Sequence, residues 1–210
     1  MSEATKKVYH QTFPLVEPSI SIPLHEIRGI SVKEYHRMGE IGILNPDEPV
    51  ELIDGVIRKM NPIGTKHAAV VNKLTNLLPR FVGTQAWISV QNPIVLNDDT
   101  EPEPDVALVK LRDDAYATAH PQPEDVLLVV EVSDTSLEYD LTEKLPRYAA
   151  SGIPEVWLVD LVNNILEVYR EPISQPNGTA AYRQRTNYYA GDTIELLMFP
   201  DIKLDVAQIL

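Results

Sequence analysis

Two carboxylates stand where this chain could do chemistry. Asp105 sits in Glu-Pro-Glu-Pro-Asp-Val-Ala-Leu-Val, at the head of an apolar run. Glu131 sits in Asp-Val-Leu-Leu-Val-Val-Glu-Val, at the tail of the next one. If the two runs are neighbouring antiparallel strands, the head of one lies beside the tail of the other. Cross-strand neighbours have Cβ atoms roughly 4.5–5.5 Å apart. Two carboxylates that close repel unless a cation or a shared proton relieves them, so a divalent metal held by Asp105 and Glu131 is the expected arrangement. Downstream, Asp140, Lys144 and Tyr148 recur every four residues and share one helix face. That face can lean over the strand end and carry the Lys144 ammonium towards both acids. Two acids, a lysine and room for a metal are the parts of metal-assisted phosphodiester hydrolysis, in which the metal polarises a phosphoryl oxygen and activates water.

Each of these residues also has a plainer reading. Asp105 can cap a turn at a strand start. A glutamate ending a buried apolar strand is costly unless paired or ligated, and a salt bridge to Lys144 would satisfy Glu131 without any catalysis. Lys144 and Asp140 can form an ordinary i,i+4 surface pair, worth about 0.3–0.5 kcal/mol. Ser133 and Ser136 read as caps, since no Gly-rich elbow or nearby histidine marks a nucleophile. Glu51 reads as a hairpin-flanking surface charge rather than a ligand. The acidic run Asp98, Asp99, Glu101, Glu103 reads as a solvated loop, and Trp157 and Tyr148 read as core. Tyr182, Tyr188 and Tyr189 suit a late strand with one exposed face.

The elements that must position the acids follow from pattern. Residues 1–22, with scattered prolines, read as an N-terminal arm, leaving residues 23–210 as one domain. Ser31 and Glu34 form a capping box for a short helix ending near Gly39 or Gly42. Glu51–Met60 is a hairpin turning on Asp54-Gly55. A helix is predicted over 66–81 from the spacing of Val70, Val71, Leu74, Leu77, Leu78 and Phe81. Strands are predicted at 86–90, 93–96 and 105–110, then a polar loop over 112–124. The run 126–132 reads as a central strand covered on both faces. A helix is predicted over 137–151; Pro146 within it costs one backbone bond if the regular helix starts near Leu141 or Thr142, and otherwise a kink is expected, with a buried strand at 156–159 beyond it. Strands at 165–169, 182–189 and 193–197 are expected to finish the sheet. This order points to a mixed sheet flanked by helices.

Bulk properties narrow the classes. The chain has 210 residues with 44% hydrophobic content, enough for a sizeable core. It has no cysteine, which excludes disulfides and thiolate metal sites, so oxygen and imidazole ligands point to a hard ion such as Mg²⁺ or Mn²⁺. No apolar run approaches ~20 residues, so no membrane span is expected. The start, Met-Ser-Glu-Ala-Thr-Lys-Lys, lacks the apolar stretch of a secretory signal, and a cytoplasmic protein is expected. The net charge is −13, from 31 acidic and 18 basic side chains. That argues against coating DNA by bulk electrostatics, although a local basic groove remains compatible.

Taken in order, these residues resemble a known family. Pro104-Asp105, then Glu131-Val132 with Ser136, then Asp140, Lys144, Tyr148, Gly152-Ile153, Glu155 and Trp157-Leu158-Val159-Asp160 are similar to the Uma-two family of restriction endonucleases. Glu51-Leu52-Ile53-Asp54-Gly55 and His67 at a helix start match it too. The resemblance spans about residues 50–170. It implies an α/β (α+β) fold of the restriction-endonuclease-like kind, a mixed β-sheet core flanked by helices with additional N- and C-terminal strands. It also implies a Mg²⁺-dependent DNA-cleaving site. Asp105 then takes the role of the motif aspartate and Glu131 that of the following acid. The motif lysine would stand at residue 133, where this chain has Ser133, and Lys144 is the substitute arriving from the helix. His67 is implied to sit close to the site. DNA is the implied partner, and a homodimer is expected by analogy with nucleases that cut duplexes in pairs.

Two other classes compete with the enzyme. A catalytically inactive binding or assembly module on the same fold would explain Ser133 and the acidic charge. An acidic mimic of DNA would need its carboxylates clustered on one surface.

Overall fold

The structure, a computed structural model, describes residues 28–45, 47–174 and 179–210. The arm expected over residues 1–22 lies outside the described residues. Helix α1 (Val32–Glu40) starts on the expected capping box, with Ser31 and Glu34 exchanging side-chain and backbone hydrogen bonds. Strands β1 (Val50–Ile53) and β2 (Val56–Lys59) form the hairpin. Its turn holds Asp54 at φ 49° and Gly55 at φ 73°, the two positive values that a primed turn needs. Gly55 also lies against the chain at Gly29, where a Cβ would come within 2.7 Å of the Gly29 Cα. Helix α2 (Thr65–Val82) buries Val70, Val71, Leu74, Leu77 and Leu78 along one stripe.

Six strands make the main sheet in the order β3 (Trp87–Val90), β4 (Val106–Val109), β5 (Val126–Ser133), β6 (Glu155–Asp160), β7 (Ile165–Ser174) and β8 (Ala180–Tyr188). Only the β5–β6 pair is parallel. All eight residues of β5 are buried, as a continuous apolar run inside a sheet requires. Its period-two alternation splits the core. Leu128, Val130 and Val132 pack with α2, while Val129 joins Tyr148, Ile153 and Leu158 on the opposite face. Glu131 shares parity with Val129 and belongs to that second face.

The second face is covered by a helical segment in three pieces. A single turn α3 (Leu137–Tyr139) leads into a π-helical stretch, Asp140–Lys144, and then α4 (Leu145–Ala150). Of the two outcomes expected at Pro146, the structure is nearer to a late start of the regular helix, with α4 beginning at Leu145. The Leu145 N–H reaches back to the Asp140 carbonyl, so the chain widens just before proline, which then occupies the first turn of α4 where its missing N–H is least costly. Gly152, at φ 75°, ends the segment.

Three expectations are corrected. Residues 93–96 are not a strand. Pro93, Pro102 and Pro104 deprive this stretch of ladder donors, and Ile94 and Leu96 enter the core from an extended loop that bonds to the Pro102 and Thr100 carbonyls. The strand over 193–197, β9 (Thr193–Leu196), does not extend the main sheet. It pairs with β10 (Phe199–Asp205), which the sequence reading missed, in a separate ribbon over the α2 face. The acidic run is only partly solvated. Glu101 is buried and Glu103 half-buried, while Asp98 and Asp99 are exposed.

Candidate functional site

β4 and β5 pair antiparallel with Val106 opposite Val130, which sets Asp105 beside Glu131 at the open end of both strands. This is the juxtaposition the strand pattern implies. Asp105, just before β4, is fixed through Oδ2, which accepts from the Val132 backbone N–H at 2.8 Å and meets His67 Nε2 at 3.0 Å. His67 stands in the first turn of α2. Burial and the Asp105 bond oppose each other at its ring, and the bond prevails, raising its pKa above the usual histidine value.

Glu131 is fixed from the other side. Its Oε1 accepts from Tyr148 OH at 2.6 Å and meets Lys144 Nζ at 3.2 Å. Burial pushes its carboxyl up to about 8, against the pull of the Lys144 ammonium. Burial alone would lower Lys144, but Glu131, Glu51 and Asp140 around it hold its pKa above the ordinary value, so it carries its charge. Lys144 therefore does reach Glu131, as expected. Its second carboxylate partner is Glu51 at 3.2 Å and not Asp105, which His67 engages instead.

Glu51 corrects the reading of a surface charge. It is 1% exposed, and both its oxygens are taken: Oε1 by Tyr139 OH at 3.0 Å, Oε2 by Lys144 and by the Glu103 backbone N–H at 3.1 Å. The available signal was Val-Glu-Leu-Ile, a glutamate inside an apolar run with no alternation. Glu103 and Tyr139 were missed as well. Glu103 faces the same space, and burial together with Glu51 raises its carboxyl to about 7. Asp140 does not pair with Lys144 on the surface. Both are buried, and Asp140 Oδ2 accepts from Ser133 Oγ and Ser136 Oγ, each at 2.7 Å. The two serines thus bind a carboxylate rather than capping the helix.

Asp105, Glu131, Lys144 and His67 all line one cavity of about 630 Å³, whose other charged lining residues are mostly carboxylates. Within it, Asp105 Oδ1 and Glu131 Oε2 make no hydrogen bond to protein among the described residues. His67 Nδ1 is buried without a partner. Two open carboxylate oxygens at one sheet end, beside a cation that holds the neighbouring acids, are a donor set suited to a hard divalent ion.

Comparison with known proteins gives the family and the fold. A family model described as putative restriction endonuclease, that of Uma-two, matches residues 32–207 and so takes in every residue of the site. The chain belongs to the Uma-two family. Among solved structures, the Uma-two fold seen here is similar to a putative nuclease from Anabaena variabilis. The TM-score is 0.67 at 15% identity, over 86% of this chain and 97% of that one. A search of curated proteins finds no match. Family and fold together support a nuclease. No helix among the described residues of this Uma-two protein is long and apolar enough to cross a membrane.

Proposed function

We propose that this protein is a divalent-metal-dependent endonuclease that hydrolyses DNA phosphodiester bonds at the Asp105–Glu131 end of the sheet. One observation carries the reading: among the described residues, Asp105 Oδ1 and Glu131 Oε2 have no protein partner in one cavity, while their companion oxygens are locked. Those two oxygens would hold Mg²⁺ or Mn²⁺, which when bound supplies charge for the phosphoryl group and lowers the pKa of water. Glu51 has no free oxygen and serves as a holder of Lys144.

The protein's own groups have separable tasks. His67 and the Val132 N–H orient Asp105, and Tyr148 and Lys144 orient Glu131. Lys144 faces Glu51 and Glu131 as ion pairs, and its hydrogen bond among the described residues goes to the Glu103 carbonyl at 3.5 Å, at the limit of such a bond and open to exchange for an incoming phosphate oxygen or water. Gly64 gives α2 no side-chain cap, so first-turn N–H groups at the cavity wall can receive an anionic phosphate.

The test is cleavage of plasmid DNA in Mg²⁺. Asp105→Ala and Glu131→Ala should each reduce it at least roughly 100-fold, because several kcal/mol of charge stabilisation are lost, with circular dichroism unchanged. Cleavage by either variant at the wild-type rate would overturn the assignment.

A second reading, a binding module that keeps the fold without the activity, draws on Ser133 standing where the motif lysine is expected and on the acidic lining. Calorimetric titration with Mn²⁺ separates the two. A Mn²⁺ isotherm that loses one site in Glu131→Gln favours the enzyme, and isotherms that are the same in both proteins favour the module.

A further inference from the structure

A second cluster of ligand-type side chains lies away from the cavity. His36 of α1, Glu101 of the extended loop before β4 and His120 of the loop after β4 each place one donor atom within 4.8 Å of the others. Glu101 is 2% exposed, and the His36 Nε2 lies 2.7 and 2.9 Å from its two oxygens. The His120 ring stands edge-on to His36 at 5.8 Å between centroids, yet no protein group among the described residues hydrogen-bonds to it.

Each donor rises from anchored backbone. Glu101 is bridged to Leu52 through both its N–H and its carbonyl. α1 is tied down by the Val32 N–H on the Asp98 carbonyl and by Tyr35 OH on the Val50 carbonyl. Beside His120, the Pro121 carbonyl accepts from Val95. Three segments distant in sequence thus present two imidazoles and one buried carboxylate to a common point.

We propose that His36, Glu101 and His120 bind a borderline divalent transition metal of the Zn²⁺ class, separately from the Asp105–Glu131 site. Two histidines and a carboxylate are a three-ligand set that Zn²⁺ takes with water in the fourth position, and imidazole selects against Mg²⁺. Zn–N and Zn–O bonds of about 2.0–2.2 Å put tetrahedral donors roughly 3.4 Å apart. The His36–Glu101 contact must therefore open by about half an ångström while His120 closes in. His36, 41% exposed, and His120, on a loop, can make those movements by side-chain rotation. The ion clasps α1 and the 111–122 loop onto the Glu101 strip, two residues from Glu103 and four from Asp105.

The experiment is equilibrium dialysis of the full chain against Zn²⁺ in excess Mg²⁺, with Co²⁺ absorption as a report of ligand geometry. Wild type and Asp105→Asn should each retain one Zn²⁺ per chain. His120→Ala should weaken binding by more than the roughly 10–100-fold that loss of an outer-shell partner costs. Because the ring makes no hydrogen bond among the described residues, His120→Ala should melt like wild type in chelator, so its loss of metal cannot be laid to unfolding. Three results would each overturn the site: no Zn²⁺ on wild type, stoichiometry unaltered in His120→Ala, or Zn²⁺ lost in Asp105→Asn.

Discussion

At the scale of residues, the site is one buried ammonium among buried acids. Lys144 lies between Glu51 and Glu131, and all three are more than 90% buried. A buried ion pair adds little net stability, but removing one partner leaves an uncompensated charge. Lys144→Met should therefore destabilise the fold by about 3–5 kcal/mol in urea titration, and Glu51→Gln added to it should recover part of that loss. If the single variant is as stable as wild type, Lys144 is not the hub of this network. Glu131 also sets a pH dependence. Its folded pKa, pushed up to about 8, lies above the unfolded value of 4.5. The proton is thus held more tightly in the fold, and the resulting stability is full below the unfolded pKa and lost as pH rises through about 8. Glu131→Gln should be the less pH-sensitive protein between pH 5 and 9, by on the order of a few kcal/mol in unfolding free energy. Parallel stability–pH curves for the two proteins would rule this out. Asp105 and Glu131 were readable in the sequence because each ends an apolar strand and their placement needs only antiparallel pairing. Glu51 was misread although Val-Glu-Leu-Ile lacks alternation, because that local sign of burial does not say which cation will meet the carboxylate.

At the scale of elements, the segment after β5 decides whether the lysine arrives. An α-helical count over Asp140, Lys144 and Tyr148 predicts one face, and the π stretch Asp140–Lys144 alters how that face is shared. Asp140 turns to Ser133 and Ser136, while Lys144 and Tyr148 both reach Glu131. A π stretch is in effect one extra residue in an α-helix, and Thr142 within it is exposed. Deleting Thr142 should restore α-helical register and rotate Asp140 off the serines. Mg²⁺-dependent cleavage should then fall by at least about tenfold, as expected when catalytic groups are misplaced by an ångström or so, while far-UV circular dichroism stays near wild type. Retained cleavage would show that the widened turn is only an accommodation of Pro146. The sequence signalled a break at Pro146 but not its form. Likewise β10 escaped notice because Pro200 and Asp201 interrupt its alternation, and β9 looked like a sheet strand because periodicity says nothing about which strand is its partner.

At the scale of the whole molecule, charge is the feature that most constrains function. A net charge of −13 and a cavity lined mostly by carboxylates oppose a polyanion. The divalent ion proposed at Asp105 and Glu131 would reconcile them by supplying positive charge at the point where a phosphate would approach. The family match over residues 32–207 and the fold likeness support a nuclease, and the proposed chemistry rests on the two open oxygens. Anomalous scattering from crystals grown with Mn²⁺ tests that claim most directly. The account predicts an anomalous peak in contact with both Asp105 Oδ1 and Glu131 Oε2. A map with no peak there, with both carboxylates ordered and free, would contradict it, whatever metal is found beside His36.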